Sequence, residues 1–339
     1  RDTIGFDVAI LYSMNTFGAV AGAFGGGFVL LPLWGIDVSL WIVSLALFSM
    51  AVCIALLDQK YKPHEGFTEP PMTLEQKEEQ SLTASQEINL SIFEALEERE
   101  KRIRRALVLI CITTTGASAM ICQVIWSRAL AMVIGSSTYA FSLILGLFLI
   151  GLASGAVYGA RLVKHSMDIL DCWAKVLVAT AFFVGLGVLV FDRLPVLFLD
   201  LALLLPKDLN PFLFFGLKAA IAGIPMLIPT FLMGTFFPLA LMLYSQHQES
   251  ADMSVGQNVG KLYTINTIGA IVGSASAGFV IIPWLGLQGG LVLAVIIYLV
   301  SAWFLLSATK GERRYHYALV AIVASVGVFM MPTWDHGKM

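Results

Sequence analysis

The chain has 339 residues, of which 58% are apolar and only 13% are charged, and its net charge is −2. A soluble domain carries about 25% charged residues, so this composition indicates a polytopic, all-α membrane protein. The low net charge leaves no basic face for nucleic acid. The four cysteines have neither a disulfide-framework pattern nor metal-ligand spacing. We therefore predict no nucleic-acid partner, no metal and no cofactor, and the lipid bilayer is the expected partner.

About nine apolar segments are long enough, or nearly so, to cross a membrane as helices. They are residues 6–31, 37–57, 106–133, 137–163, 172–191, 211–244, 260–283, 287–308 and 316–332. Pro225, Pro229 and Pro238 in the sixth segment remove backbone donors and predict a bent or broken helix. The short apolar stretch 194–206 predicts an interfacial helix. The chain begins at Arg1 without a signal-peptide pattern, which we interpret as an internal cut.

Charge is concentrated in residues 58–105, which hold 8 basic and 11 acidic side chains. The Lys- and Arg-rich connections 58–105, 161–175 and 309–315 fall on one side of the membrane if the nine spans alternate. Positive charge favours the cytoplasmic side, so we place the 58–105 loop in the cytoplasm.

Two helix-start patterns lie within that loop, Thr73 with Gln76 and Ser91 with Glu94. Favourable i,i+4 pairs such as Glu97–Lys101 follow. We expect a charged amphipathic helix that runs into the third span. A regulatory or docking surface and a plain solvated linker both fit this segment.

An internal repeat is the strongest signal in the chain. Residues 11–36 and 262–287 match at a constant offset of 251, with 12 of 26 positions identical. The identities include Asn15/Asn266, which shared apolar composition cannot explain. Transporter folds are often built from such repeats. The predicted regions are the last two helices of a truncated first repeat (1–57), the charged cytoplasmic linker (58–105), a complete six-helix second repeat (106–309), and a final helix and tail (310–339).

Glycines recur at four-residue spacing along three of the predicted spans, which is the spacing of helix-packing stripes in membranes. They are Gly18, Gly22 and Gly26, then Gly151, Gly155 and Gly159, and then Gly269 and Gly273. Tight static packing and a smooth surface on which helices slide during alternating access are both compatible with this spacing.

Several motifs resemble one bacterial family. The repeat motif L-Y-x-x-N-T-x-G-A-x-x-G followed by G-F-V-x-x-P, the stretches 123–128 and 135–142, and the segment 233–238 resemble the membrane region of fused major-facilitator/spermidine-synthase-like proteins. The resemblance implies a transporter-like fold in the bacterial cytoplasmic (inner) membrane. It also implies a soluble aminopropyltransferase-like domain, or other membrane subunits, as partners.

Two departures from that family are visible. Gln123 stands where the family usually has Glu, and the chain ends near Trp334 and Asp335, where the family's soluble domain would follow. No glycine-rich nucleotide-binding pattern occurs in the sequence. We therefore lean towards a chain without enzymatic activity of its own, while the resemblance implies an enzyme in a parent or partner chain.

Few polar side chains inside the predicted spans could contact a solute. Because guanidinium binds carboxylate and phosphate bidentately, Arg128 is the first candidate for an anion contact, with membrane-interface anchoring as the alternative. The other candidates are Gln123, Trp126, Tyr139, Ser142, Asn15, Asn266 and Lys218. No catalytic arrangement can be assembled from these residues.

Two functions of different classes remain after the sequence is considered. The first is a transporter-like domain that moves or binds a small organic solute. The second is a non-transporting anchor or structural subunit that holds a soluble enzyme or a larger complex at the membrane.

Overall fold

The computed structural model describes residues 2–60, 84–135, 137–166, 168–204, 211–246 and 255–307. These residues are almost entirely helical and contain no strand. The elements are α1 (Asp2–Phe24), a π-helix (Gly25–Leu30), α2 (Leu31–Lys60), α3 (Ala84–Ile134), α4 (Thr138–His165), α5 (Ile169–Leu204), α6 (Pro211–Gly234), α7 (Phe236–Gln246), α8 (Val255–Ser276), a second π-helix (Ala277–Ile281) and α9 (Ile282–Ser307).

Six stretches within the described ranges are long and apolar enough to cross a membrane. They are Ser13–Leu57, Leu96–Met132, Thr138–Lys164, Ile169–Phe191, Pro225–Ser245 and Gly256–Ser307. The chain is therefore a helical membrane protein. The stretches overlap eight of the nine predicted spans, because the first and the last each contain two. The ninth, residues 316–332, lies outside the described residues, so the count of nine stays a prediction.

The chain divides into two compact units, Arg1–Gly27 with Ile103–Met339, and Phe28–Arg102. In the second unit, Lys101 Nζ lies 3.1 Å from a carboxylate oxygen of Glu97, which confirms that predicted i,i+4 pair. The predicted helix start at Ser91 is wrong, since α3 begins at Ala84. Alanine, glutamine and leucine before Ser91 favour helix and extend it backwards. The predicted start at Thr73 lies outside the described residues.

The core of the first unit is apolar and is supplied by α3, α4, α5, α6, α7, α8 and α9. It includes Leu194 and Phe198, both buried near the end of α5. Residues 194–204 thus continue α5 as one helix to Leu204 rather than forming a separate helix, and their interfacial position stays a prediction.

The predicted break in the sixth span is confirmed. Helix α6 contains Pro225 and Pro229 and ends at Gly234, and α7 begins at Phe236 with Pro238 in its first turn. The Thr235 hydroxyl donates to Leu232 O at 2.7 Å, so this polar side chain is hydrogen-bonded within the break. Helix α6 runs through Pro225 and Pro229, and the interruption comes where Pro238 lacks the N–H that would bond the carbonyl of Gly234.

Helix α4 packs against the α6–α7 break along its glycine stripe. A Cβ at Gly151 would collide with Thr230, one at Gly155 with the Phe231 carbonyl, and one at Gly159 would lie 2.9 Å from the Thr235 Cα. These three glycines therefore let α4 approach the backbone at the end of α6, as small residues do in membrane bundles.

The two sequence repeats fold alike. In each copy a π-helix separates two long helices, and a glycine with positive φ follows it: Gly35 at φ 68° and ψ −175°, and Gly286 at φ 70° and ψ −177°. These glycines stand at the same offset of 251 as the sequence identities. L-residues with a side chain avoid this backbone region, so glycine is required at both bends.

Candidate functional site

The interior of the first unit contains a line of uncharged polar groups between α3 and α9, which we name the α3–α9 seam. Its members are Cys111, Thr114 and Ser118 of α3 and Tyr298 and Ser301 of α9. Thr114 Oγ1 and Ser301 Oγ lie 3.0 Å apart, and Cys111 Sγ lies 3.8 Å from Ser301 O. Ser118 Oγ donates to Ala294 O at 3.0 Å. These contacts join α3 to α9 at two positions of α9, Ser301 and Ala294.

Tyr298 lies at the centre of the seam and is fully buried. Its ring packs against Phe236 of α7, with centroids 5.9 Å apart, beside the α6–α7 break. Its hydroxyl lies near Ser118, whose own hydroxyl donates to Ala294 O, but it meets hydrogen-bond geometry with no described group. A phenol hydroxyl without a good partner in an apolar interior is available to a bound solute or water.

Gln123 and Trp126 lie further along α3. Gln123 is 6% exposed and Trp126 fully buried. Gln123 Nε2 donates to Ser127 Oγ at 3.4 Å, whereas Gln123 Oε1 and Trp126 Nε1 have no hydrogen-bond partner. Leaving a buried polar atom unpaired costs about 1–3 kcal/mol, so a polar solute that hydrogen-bonds to these atoms would be stabilised. Together they offer one acceptor and one donor.

Arg128 and Tyr139 do not share this burial. Arg128 is exposed near the end of α3, and Tyr139 is 43% exposed at the start of α4. Residues 123 and 128 are five positions apart on one helix, which places them on different faces. The anion contact predicted at Arg128 therefore stays a prediction for a surface position. Lys218 belongs to α6, and its side chain lies outside the described part.

Ser142 and Asn266 serve helix contacts. Ser142 is buried on α4, where a Cβ at Gly27 would overlap its side chain. Asn266 lies beside α3, and a Cβ at Gly116 would lie 2.5 Å from its Oδ1. Its repeat counterpart Asn15 is exposed. The two asparagines are thus equivalent in sequence but differ in surroundings.

Sequence reasoning identified Gln123 and Trp126 but missed Ser118, Tyr298 and Ser301. Hydroxyl residues within apolar helices are common, and they usually bond their own helix backbone. The available signal was the co-occurrence of Cys111, Thr114 and Ser118 along one helix face. Only the fold shows that this face meets Ser301 and Tyr298.

The α3–α9 seam presents neutral donors and acceptors, and so do Gln123 and Trp126 further along α3; neither group includes a charged side chain. Such a set can orient a small polar solute by hydrogen bonds but cannot by itself neutralise a charged one. Comparisons with protein-family profiles, with curated proteins and with solved structures find no significant match for this chain.

Proposed function

We propose that the chain is a transporter-like membrane domain that binds or moves a small polar organic solute. The observation that carries the proposal is that Gln123 Oε1 and Trp126 Nε1, two buried polar atoms on α3, lack hydrogen-bond partners in a largely apolar interior. Polar groups in membrane interiors are costly, and those kept there commonly serve a solute path.

The backbone features support this proposal. Transporters are frequently built from repeats and use interrupted helices beside their binding sites. This chain has a repeat whose two copies share a π-helix and a glycine bend. A helix break also separates α6 from α7, and Phe236 beside that break packs against Tyr298. The sequence resemblance to fused major-facilitator/spermidine-synthase-like proteins adds polyamines to the solutes to be tried, and Arg128 adds small carboxylates.

Uptake into proteoliposomes tests the proposal. Labelled spermidine, putrescine, succinate and a neutral sugar alcohol would be offered one at a time to liposomes with the purified chain and to protein-free liposomes. We expect uptake of one class above the protein-free level. Uptake of that solute should fall in Gln123→Leu and Trp126→Phe, because each removes an unpaired polar atom. Absence of uptake or binding for every solute would reject the proposal.

A matched control keeps the test specific. Phe182 is exposed on α5, so Phe182→Leu should leave uptake unchanged. Arg128→Ala tests the second candidate position, with a selective loss for succinate as the expected result if Arg128 contacts anions. Gel-filtration profiles identical to the parent chain would show that the variants remain folded.

A second candidate function is a non-transporting anchor. The observation that favours it is the stretch Ser13–Leu57, whose most apolar window has no buried residue. Stable co-purification of a soluble enzyme or another membrane subunit after mild extraction, without uptake of any solute, would favour this function instead.

A further inference from the structure

Helices α1 and α8 are repeat counterparts, yet each is covered on a different face. On α8, Leu262, Gly269 and Gly273 are buried, and the counterparts Leu11, Gly18 and Gly22 on α1 are exposed. We name these three residues of α1, together with Asn15, the open face of α1. It is open although its counterpart on α8 lies directly against α3.

The occupied counterpart shows what fits this face. A Cβ at Gly269 would collide with the Thr113 carbonyl and one at Gly273 with the Ala117 carbonyl, so α3 lies directly on these glycines. At Gly18 and Gly22 a Cβ would meet nothing within 4 Å. The same small-residue spacing is therefore filled by a helix in one repeat and empty in the other.

Asn15 gives an independent indication that the open face has an occupant. Its side chain is exposed on an apolar span, where lipid offers no hydrogen-bond partner. Its counterpart Asn266 lies against Gly116 of α3. A protein helix at Asn15 would supply a hydrogen-bond partner there, just as α3 with its small residues covers Asn266 in the second repeat.

The other face of each helix shows the opposite pattern, with the α1 side buried and the α8 side exposed. Ser13 of α1 and Gly27 of the π-helix that follows it are buried, and Gly27 lies against Ser142 of α4. Their counterparts are Thr264 of α8, which is exposed, and Gly278 of the second π-helix, where a Cβ would meet nothing within 4 Å. We name Thr264 and Gly278 the open face of α8. Thus α1 lacks a neighbour like α3, and α8 lacks a neighbour like α4.

We propose that one pair of membrane helices, equivalent to α3 and α4, covers both open faces and precedes α1 in the same polypeptide. Its first helix would lie on Gly18 and Gly22 with small residues spaced like Thr113, Gly116 and Ala117. Its second helix would lie on Gly278 with a small polar residue in the place of Ser142. A second copy of the chain is a poorer occupant, because its own α3 and α4 are already held by its α8 and α1.

The order of the helices supports a source within the same polypeptide. In the second repeat, α3 and α4 precede α8 along the chain. By the constant offset, the equivalent pair for the first repeat precedes α1. The proposal concerns assembly and does not depend on solute transport.

Gly22→Leu and Gly278→Leu test it in two settings, the purified 339-residue chain and the protein produced from its own gene in its native membrane. In the purified chain both variants should match the parent, since nothing lies within 4 Å of either position. In the native protein both should lower the folded yield about twofold or more and the Tm by about 4 °C, because the added side chain overlaps a packed helix.

Ala21→Leu is the matched control. Ala21 is exposed, and its counterpart Val272 is also exposed, so this position faces away from helices in both repeats. It should match the parent in both settings. If Gly22→Leu and Gly278→Leu also match the parent in the native protein, both faces are open and the proposal fails.

Peptide mapping of the native protein, tagged at its carboxyl end, tests the source. The proposal expects peptides contiguous with and preceding Arg1 that contain two apolar spans. A native assembly of two 339-residue chains would overturn it, as would a separate small subunit cross-linked to α1. Failure of transport in liposomes would leave these outcomes unchanged.

Discussion

The α1–α2 and α8–α9 regions show how one sequence motif can be placed in two environments. Both regions have a π-helix followed by a glycine bend at matching positions. The backbone is thus set locally by the motif, whereas burial depends on neighbours: α8 lies on α3 and α1 lies on α4. Repeat identity therefore indicates local geometry but does not by itself indicate which residues are buried.

The largest expected effect is at a glycine outside the matching segments 11–36 and 262–287, and it gives a reference value for the comparison. Gly155→Leu would force a side chain into the Phe231 carbonyl at the end of α6, so we expect a loss of about 3 kcal/mol in unfolding free energy. Thermal unfolding in detergent measures it. Gly216→Leu, at an exposed glycine with open space around it, should be neutral. A neutral Gly155→Leu would show that the α4–α6 contact is absent.

Gly273→Leu against Gly22→Leu sharpens the comparison directly. Because Gly273 lies on the Ala117 carbonyl, its substitution should cost about 2–3 kcal/mol in the purified chain. The counterpart substitution should cost close to nothing there. Urea or heat unfolding of the two variants side by side checks this, and equal losses would contradict it.

Substitutions at the two glycine bends should lower stability equally, whereas substitutions on the packing faces of α1 and α8 should differ in effect. Gly35→Ala and Gly286→Ala each place a side chain at φ near 70°, which costs about 1–2 kcal/mol. Since this strain is local, the two Tm decreases should agree within error. A decrease in only one variant would mean that the repeats are not equivalent in backbone conformation.

The smallest effect is expected in the charged start of α3. The Glu97 side chain is half exposed, so Glu97→Gln should change the unfolding free energy by less than about 0.5 kcal/mol through loss of its pair with Lys101. The difference should vanish in about 1 M salt, where charges are screened. An effect that persists in high salt would indicate another role for Glu97.

The sequence predicted the features that depend on local chemistry. Pro225, Pro229 and Pro238 predicted the interrupted helix, and the stripe at Gly151, Gly155 and Gly159 predicted a close helix crossing. Glycine and proline act through their own backbone, so their effects can be read from sequence.

The features that depend on neighbours could not be predicted. Ser118 and Tyr298 are far apart in sequence, and only the fold brings them near each other. Arg128 was the first candidate for a solute contact, but its side chain is exposed. Gln123 and Trp126, on the same helix α3, are buried instead. In an apolar helix every face resembles a core face, so periodicity cannot identify the buried one.

One pair of substitutions tests most directly the claim that equivalent helices are covered on opposite faces. Leu11 and Leu262 are the same residue at the same repeat position, 66% and 0% exposed. Leu262→Ala leaves a cavity and should lower the unfolding free energy of the 339-residue chain by about 2 kcal/mol, whereas Leu11→Ala should change it by less than about 0.5 kcal/mol. Equal losses in the two variants, measured by thermal unfolding under identical conditions, would contradict the claim.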